Sequence, residues 1–230
     1  LTLTWRYDIG AVASDGQALT GDENSLSIAG GFGKVVLGVD DDASDSYNID
    51  EMDLPTEEPG AGTLASASIG TSSSVSSTDD IKVAYHLPAM GGLTAGISFA
   101  DSGAVGSSDI TSWGARYAME AGGASITLGY ASKTTEATGQ DVDETNMGLK
   151  IVSGDLSMIV SQGSYEKADE DRDNQGASVA YNMGNGMVAS AYTFKSEDAL
   201  DAGEELSRSG VEVAYTIASG LTAVVNVEDY

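Results

Sequence analysis

The sequence has no cysteine, three prolines and a single histidine. Without cysteine there is no thiol catalysis, no disulfide framework and no thiolate zinc site, and passage through an oxidising compartment is tolerated. One histidine, His86, leaves too few partners for an imidazole metal site or a histidine-dependent triad. Basic residues are scarce: 10 Lys and Arg stand against 36 Asp and Glu, a formal charge of −26. Such a chain repels nucleic acid, and no basic patch with interleaved aromatics relieves that, so no nucleic-acid partner is expected. Long hydrophobic runs are also missing; none approaches the roughly 18 residues of a membrane helix. Carboxylate pairs are everywhere and single out no catalytic pair, and no phosphate-cradling Gly loop precedes a helix. No enzyme, no catalytic residue and no organic cofactor is expected.

What is present is a short-period pattern. Hydrophobic residues make up 41% of the chain, too many for an acidic disordered tail, and glycine is abundant at 29. Apolar and polar residues alternate in short segments. Leu1, Leu3, Trp5 and Tyr7 oppose Thr2, Thr4 and Arg6. Ile81, Val83, Tyr85 and Leu87 oppose Lys82, Ala84 and His86. Met147, Leu149 and Ile151 oppose Asn146, Gly148 and Lys150, and Val211, Val213, Tyr215 and Ile217 oppose Glu212, Ala214 and Thr216. Near-neutral mean hydropathy with this alternation is what a transmembrane β-barrel requires, since each strand meets lipid on one side and the lumen on the other.

The connections are equally regular. Six tight Gly-rich turns fall at residues 30–33, 88–92, 120–123, 153–155, 184–186 and 218–220. Between them lie Ser/Asp-rich stretches, about 8–24, 40–80, 100–111, 132–144, 164–175 and 195–210. Successive turns of an up-and-down barrel emerge at opposite ends, so short turns collect at one rim and long loops at the other, as in outer-membrane barrels. The pattern predicts thirteen strands: 1–7, 25–29, 34–39, 81–87, 93–99, 112–118, 124–131, 145–152, 156–163, 176–183, 187–194, 211–217 and 220–227. Single-chain bacterial barrels have even counts, and an open edge in hydrocarbon leaves amides unpaired. The chain is therefore expected to be incomplete at both ends.

The stretch Ser25-Leu26-Ser27-Ile28-Ala29-Gly30-Gly31-Phe32-Gly33-Lys34-Val35-Val36-Leu37-Gly38 resembles a segment of the general Gram-negative porins, where two strands meet at a Gly-Phe-Gly turn. The likeness is closest to the alphaproteobacterial type. It implies a single all-β domain over 1–230, an antiparallel up-and-down barrel of about sixteen strands, of which this chain supplies strands three to fifteen. A C-terminal Phe typical of such barrels is absent; the chain ends Asn226-Val227-Glu228-Asp229-Tyr230. The resemblance places segment 40–80 as a constriction loop folded into the barrel. It also implies an outer-membrane location, a homotrimer, contact with lipid and lipopolysaccharide, and passive diffusion of ions and small polar solutes.

Candidate residues follow from side-chain direction. Arg6, Lys82, His86, Arg116 and Lys150 lie on polar strand faces and are expected in the lumen, because a basic side chain facing mid-membrane lipid costs about 2–4 kcal/mol. The resemblance implies that Arg6, Lys82 and Arg116 stand opposite an acidic loop. That loop, 40–80, holds 11 acidic residues and no basic one; Asp40, Asp41, Asp42, Asp45, Asp50, Glu51, Asp53, Glu57 and Glu58 are the first nine. They are the expected source of a cation preference. Asp40-x-Asp42-x-Ser44 with Glu51 superficially follows a calcium loop, but Asp45 stands where an EF-hand needs Gly. Calcium bound in the acidic loops, including Asp141-x-Asp143-Glu144 and Asp169-Glu170-Asp171, stays a candidate. Trp5, Tyr7, Tyr85, Phe99, Trp113, Tyr117, Tyr130, Tyr181, Tyr192, Phe194 and Tyr215 are expected to form aromatic girdles on the lipid face. Two rival readings are a cell-surface β-rich calcium-binding adhesin or surface-layer protein, and a secreted β-sandwich hydrolase. Either would pack its apolar faces together in a dry interior.

Overall fold

A computed structural model describes residues 1–10, 20–56, 72–78, 80–101, 108–137, 140–168, 170–198 and 205–229. Thirteen strands follow one another: β1 Thr2–Gly10, β2 Thr20–Gly30, β3 Gly33–Val39, β4 Ile81–His86, β5 Leu93–Ala100, β6 Asp109–Ala121, β7 Ala124–Ala137, β8 Gln140–Ser153, β9 Leu156–Lys167, β10 Glu170–Gly184, β11 Met187–Asp198, β12 Glu205–Ala218 and β13 Leu221–Asp229. They form one sheet in sequence order, each antiparallel to the next. The sheet is not closed: among the described residues β1 pairs only with β2, and β13 only with β12.

The alternation in sequence becomes a sheet with two unlike faces. Leu3, Trp5, Val83, Phe99, Leu128, Met147, Val160, Val179, Val211 and Val213 are exposed on one face. On the other, Ser98, Ser112, Lys133, Asn146 and Arg208 are buried. A water-soluble protein arranges these the opposite way; here the apolar face is built to meet hydrocarbon. The short turns are where the sequence puts them. Between β6 and β7, Gly122 and Gly123 have φ of +62° and +83°, the two-residue primed turn whose twist matches the flanking strands and which only glycine adopts freely.

Two expectations are corrected. The stretches 132–144 and 164–175, read as loops, are mostly strand: the β7–β8 ladder runs to Ala137 opposite Gln140, and the β9–β10 ladder to Lys167 opposite Glu170. Apolar alternation stops at the membrane boundary because both faces beyond it meet water, whereas backbone pairing continues. A strand needs about 9–11 residues to cross, and β10 has 15. Tyr192 and Phe194, expected in the girdle, are on the inner face and buried. Tyr192 lies opposite Gly210, whose missing side chain leaves room for the ring, and the Arg208 guanidinium sits 5.5 Å from the ring centre.

The strand extensions carry a belt of outward carboxylates in direct cross-strand register: Asp109 opposite Glu136, Glu136 opposite Asp141, Asp143 opposite Glu166, Glu166 opposite Asp171, Asp173 opposite Glu197, and Glu197 opposite Glu205. Lys195 bridges Glu197 and Glu205. Like charges directly opposite destabilise a sheet. Replacing Glu166, which faces a carboxylate on each side, should therefore stabilise: Glu166→Gln is expected to stabilise the detergent-solubilised chain at low salt by roughly a few tenths of a kcal/mol, read as a higher thermal unfolding midpoint. The gain should shrink in high salt. A salt-independent gain, or none, would contradict the repulsion.

Candidate functional site

After β3 the chain crosses the inner face of the sheet as a strap. Its outgoing leg, residues 42–56, passes from β4 to β12, and a return leg, 72–78, lies beside it. Laying a backbone on a wall buries amides and carbonyls that must find partners. Part of the need is met within the strap. Two single-turn 3-10 helices, Asp45–Tyr47 and Glu51–Asp53, form there, and the Asp50 carboxylate accepts the Met52 N–H at 2.7 Å. The wall supplies the rest. Ser98 Oγ accepts the Ala43 N–H at 3.0 Å and Ser112 Oγ the Ser44 N–H at 3.2 Å. Asn146 accepts the Ile49 N–H at 3.2 Å and donates to the Ser73 carbonyl at 2.9 Å. Glu144 accepts from the Ser76 N–H and hydroxyl, at 3.2 and 2.6 Å, and Glu212 accepts the Thr56 N–H at 2.8 Å.

Two buried carboxylates fix the strap. Asp42 accepts Lys82 Nζ at 2.7 Å, Lys133 Nζ at 3.2 Å, and the Thr78 N–H and hydroxyl, both at 3.1 Å. Lys82 also donates to the Thr78 carbonyl, and Lys133 to the Ser76 carbonyl at 3.2 Å, so the lysines join both legs of the strap to the wall. Glu51, wholly buried, accepts from the Ser73 hydroxyl at 2.7 Å, the Ser161 hydroxyl at 2.9 Å and the Ser73 N–H at 3.3 Å.

The expected site residues therefore separate. Lys82 is not open to the lumen; it lies beneath the strap, on the wall that carries it, because burial of Asp42 demands compensating cations. Asp42, Asp50 and Glu51 are likewise buried for anchoring and capping. Asp45 and Asp53 are exposed, and Asp40 and Asp41 are half-buried. Glu57 and Glu58 lie outside the described residues. Arg116 donates to the Asn48 carbonyl. Lys150 and Arg116 both act on the charge of Asp53. His86 Nδ1 lies 2.8 Å from the Tyr47 hydroxyl. Arg6 is away from the strap and pairs with Asp8 at 2.6 Å and with Glu23. Lys133 was hidden in a stretch read as loop; its parity with Thr127, Gly129 and Ala131 was the available signal. Glu144, Asn146, Ser161 and Glu212 were also missed as strap partners.

The calcium-like set does not converge, since Asp42 is held by lysines and Glu51 sits at β9 and β10. Asp143 points outward to the Thr134 hydroxyl at 2.6 Å while Glu144 points inward, and Asp169 is outside the described residues. Among the described residues Glu23, Asp40 and Asp41 bring three carboxylate oxygens within 4.8 Å of one another, and these could hold a cation.

Burial pushes the Asp50 carboxyl from its ordinary 3.8 up to about 7, reinforced by the charges of Glu51 and Asp53, while bonds from Met52 N–H and the Asn48 amide oppose it. Desolvation also raises Asp45 and Asp53; Arg116 opposes it in both, and Lys150 in Asp53.

The sequence matches the Gram-negative porin family model over residues 2–230. No curated protein matches it. Among solved structures, the chain is similar to an anion-selective porin from Comamonas acidovorans, with a TM-score of 0.67 and 18% identity over 92% of this chain and 68% of that one. It is also similar to in-vitro-folded OmpT of Vibrio cholerae in a trimer form, with a TM-score of 0.62 and 15% identity over 94% and 73%. A porin structure refined at 1.8 Å gives a TM-score of 0.62 and 16% identity over 90% and 75%. At these identities the likeness is one of fold.

Two outcomes are expected. Asp42→Asn leaves two buried lysines short of an anion and should destabilise the chain by about 3–5 kcal/mol; Lys82→Met should cost less, because Lys133 and Thr78 still hold Asp42. Denaturant unfolding would show this, and equal costs would refute the shared anchor. For Asp50, the raised value means that protonation favours the seated strap. That contribution is complete below about pH 4 and lost as pH rises through about 7. Asp50→Asn should therefore be more stable than the parent at pH 8 and not at pH 4; a pH-independent difference would contradict the assignment.

Proposed function

The chain belongs to the Gram-negative porin family, and on that premise we propose that it forms a water-filled, cation-preferring channel whose narrowest section is the strap, residues 42–56 and 72–78. Its place is the bacterial outer membrane, as an antiparallel up-and-down β-barrel with its apolar face in lipid. A barrel of sixteen strands leaves an aqueous lumen. Ions and small hydrophilic solutes cross it down their gradients, with no chemical step.

One observation carries the charge preference. The strap's attachment consumes cations: Lys82 and Lys133 are buried beneath Asp42, while Asp45 and Asp53 stay exposed on the strap. Asp45 and Asp53 thus face the water, whereas Lys82 and Lys133, like Asp42, Asp50 and Glu51, do not. Arg116 and Lys150 stand beside Asp53 and offset part of its charge, and Arg6 is tied to Asp8 and Glu23. In a low-dielectric tube, exposed charge of one sign concentrates the opposite ion. The anion-selective porin shares the fold, but preference resides in side-chain charge and not in architecture. Assembly as a homotrimer, as OmpT adopts in its trimer form, is part of this reading, with lipid and lipopolysaccharide around the trimer.

In planar bilayers under a KCl gradient the reversal potential should report a preference for K⁺. The double variant Asp45→Asn, Asp53→Asn should reduce the permeability ratio by roughly twofold, an order-of-magnitude figure for two partly screened charges. A chloride preference in the parent chain would sink the selectivity reading.

A further inference from the structure

Six glycines lie under the strap, one on each of six successive strands: Gly96 on β5, Gly114 on β6, Gly129 on β7, Gly148 on β8, Gly163 on β9 and Gly176 on β10. None has φ in the left-handed region, so none is needed for backbone conformation. Glycine in the middle of a strand weakens it and marks the close approach of another group. Here the strap is among the close contacts in each case, joined by atoms of the wall at Gly96 (His86 Nδ1), Gly114 (the Tyr130 carbonyl) and Gly163 (the Thr145 carbonyl). A Cβ at Gly114 would come within 2.7 Å of the Tyr47 Cβ, and one at Gly129 within 2.7 Å of the Tyr47 carbonyl oxygen and 2.9 Å of the Ile49 side chain. At Gly96 it would meet the Tyr47 hydroxyl at 2.8 Å and His86 Nδ1 at 2.7 Å. At Gly148 it would run into the Ile49 backbone, at Gly163 into the Ser73 carbonyl, and at Gly176 into the Glu51 carboxylate.

The register makes these positions a continuous track. Gly96 is directly opposite Gly114, and Gly129 directly opposite Gly148. Gly114 is opposite Ala131, two residues beyond Gly129, and Gly163 is opposite Asn174, two residues before Gly176. Ser98, Ser112, Asn146 and Ser161, which bond the strap, lie two residues away on the same faces. The wall thus alternates positions that hold the strap with positions that make room for it.

We propose that these six glycines are positioning residues that set how deep the strap lies in the wall, and through that depth the width of the pore. This rests on the constriction reading given above and adds the element that fixes its dimension. At Gly148 and Gly163 a methyl group has strap backbone above it, so the strap must rise into the lumen.

The test is single-channel conductance of the full chain in planar bilayers, together with amide hydrogen exchange at Ile49 and Ser73. Gly148→Ala, Gly163→Ala and the double variant serve as probes. Gly31→Ala is the control, because a Cβ there meets nothing within 4 Å. Conductance should fall in each single variant and further in the double, and protection at Ile49 or Ser73 should be lost, with the control unchanged. Loss of protection with unchanged conductance would overturn the link to pore width and the constriction reading with it. No change in either would overturn the track and leave the constriction reading standing. An equal fall in the control would also overturn it. Should the Gly148 variant fail to assemble, Gly96→Ala is milder, because it meets side-chain ends. Tyr47→Phe removes one of these, so it should restore part of the lost conductance; an absence of restoration would count against the track.

Discussion

Hydrocarbon offers no hydrogen bonds, and every amide placed in it must find a partner within the protein. That constraint reaches further here than the membrane-spanning strands. It accounts for the unbroken antiparallel ladder from β1 to β13 and for the inversion of sides, with apolar residues outermost. It also acts on the inner face, where the strap buries its own backbone against the wall. The wall answers with short polar side chains at measured places: a serine hydroxyl under Ala43, another under Ser44, an asparagine between Ile49 and Ser73.

Charge obeys the same logic at higher stakes. An isolated buried carboxylate is costly, and Asp42 is tolerable because two lysines and a threonine converge on it. The consequence for the lumen is indirect. Burial under the strap withdraws charge of both signs from the water: Lys82 and Lys133 on one side, Asp42, Asp50 and Glu51 on the other.

Much of this could be read from the residues alone. Period-2 alternation locates all thirteen strands, and glycines locate the short turns, because both reflect local constraints. Strand ends at the long-loop rim were misplaced, since alternation is a record of lipid and water, and beyond the lipid there is only water. That error hid Lys133 within an apparent loop. Tyr192 and Phe194 were assigned outward by their apolar character, whereas the inner wall near β11 packs against the strap and Gly210. The divided roles of Asp42, Glu51, Asp45 and Asp53 are set by contacts between residues far apart in sequence, which composition cannot reveal. Gly148 is visible as a member of a polar face, but the segment that covers it is not.

The strap differs from the sheet in how far apart its partners lie. Each strand pairs with its neighbours in the chain, so apart from β3 and β4, which residues 40–80 join, the ladder can grow hairpin by hairpin with small loops to close. The strap's bonds span 55 residues from Ala43 to Ser98, 97 from Ile49 to Asn146, and 156 from Thr56 to Glu212. Closing loops of that size before the wall exists has an entropic cost and no compensating contact. The strap is therefore expected to arrive late in assembly, docking onto a wall already built and tying β4 through β12 together as it does so.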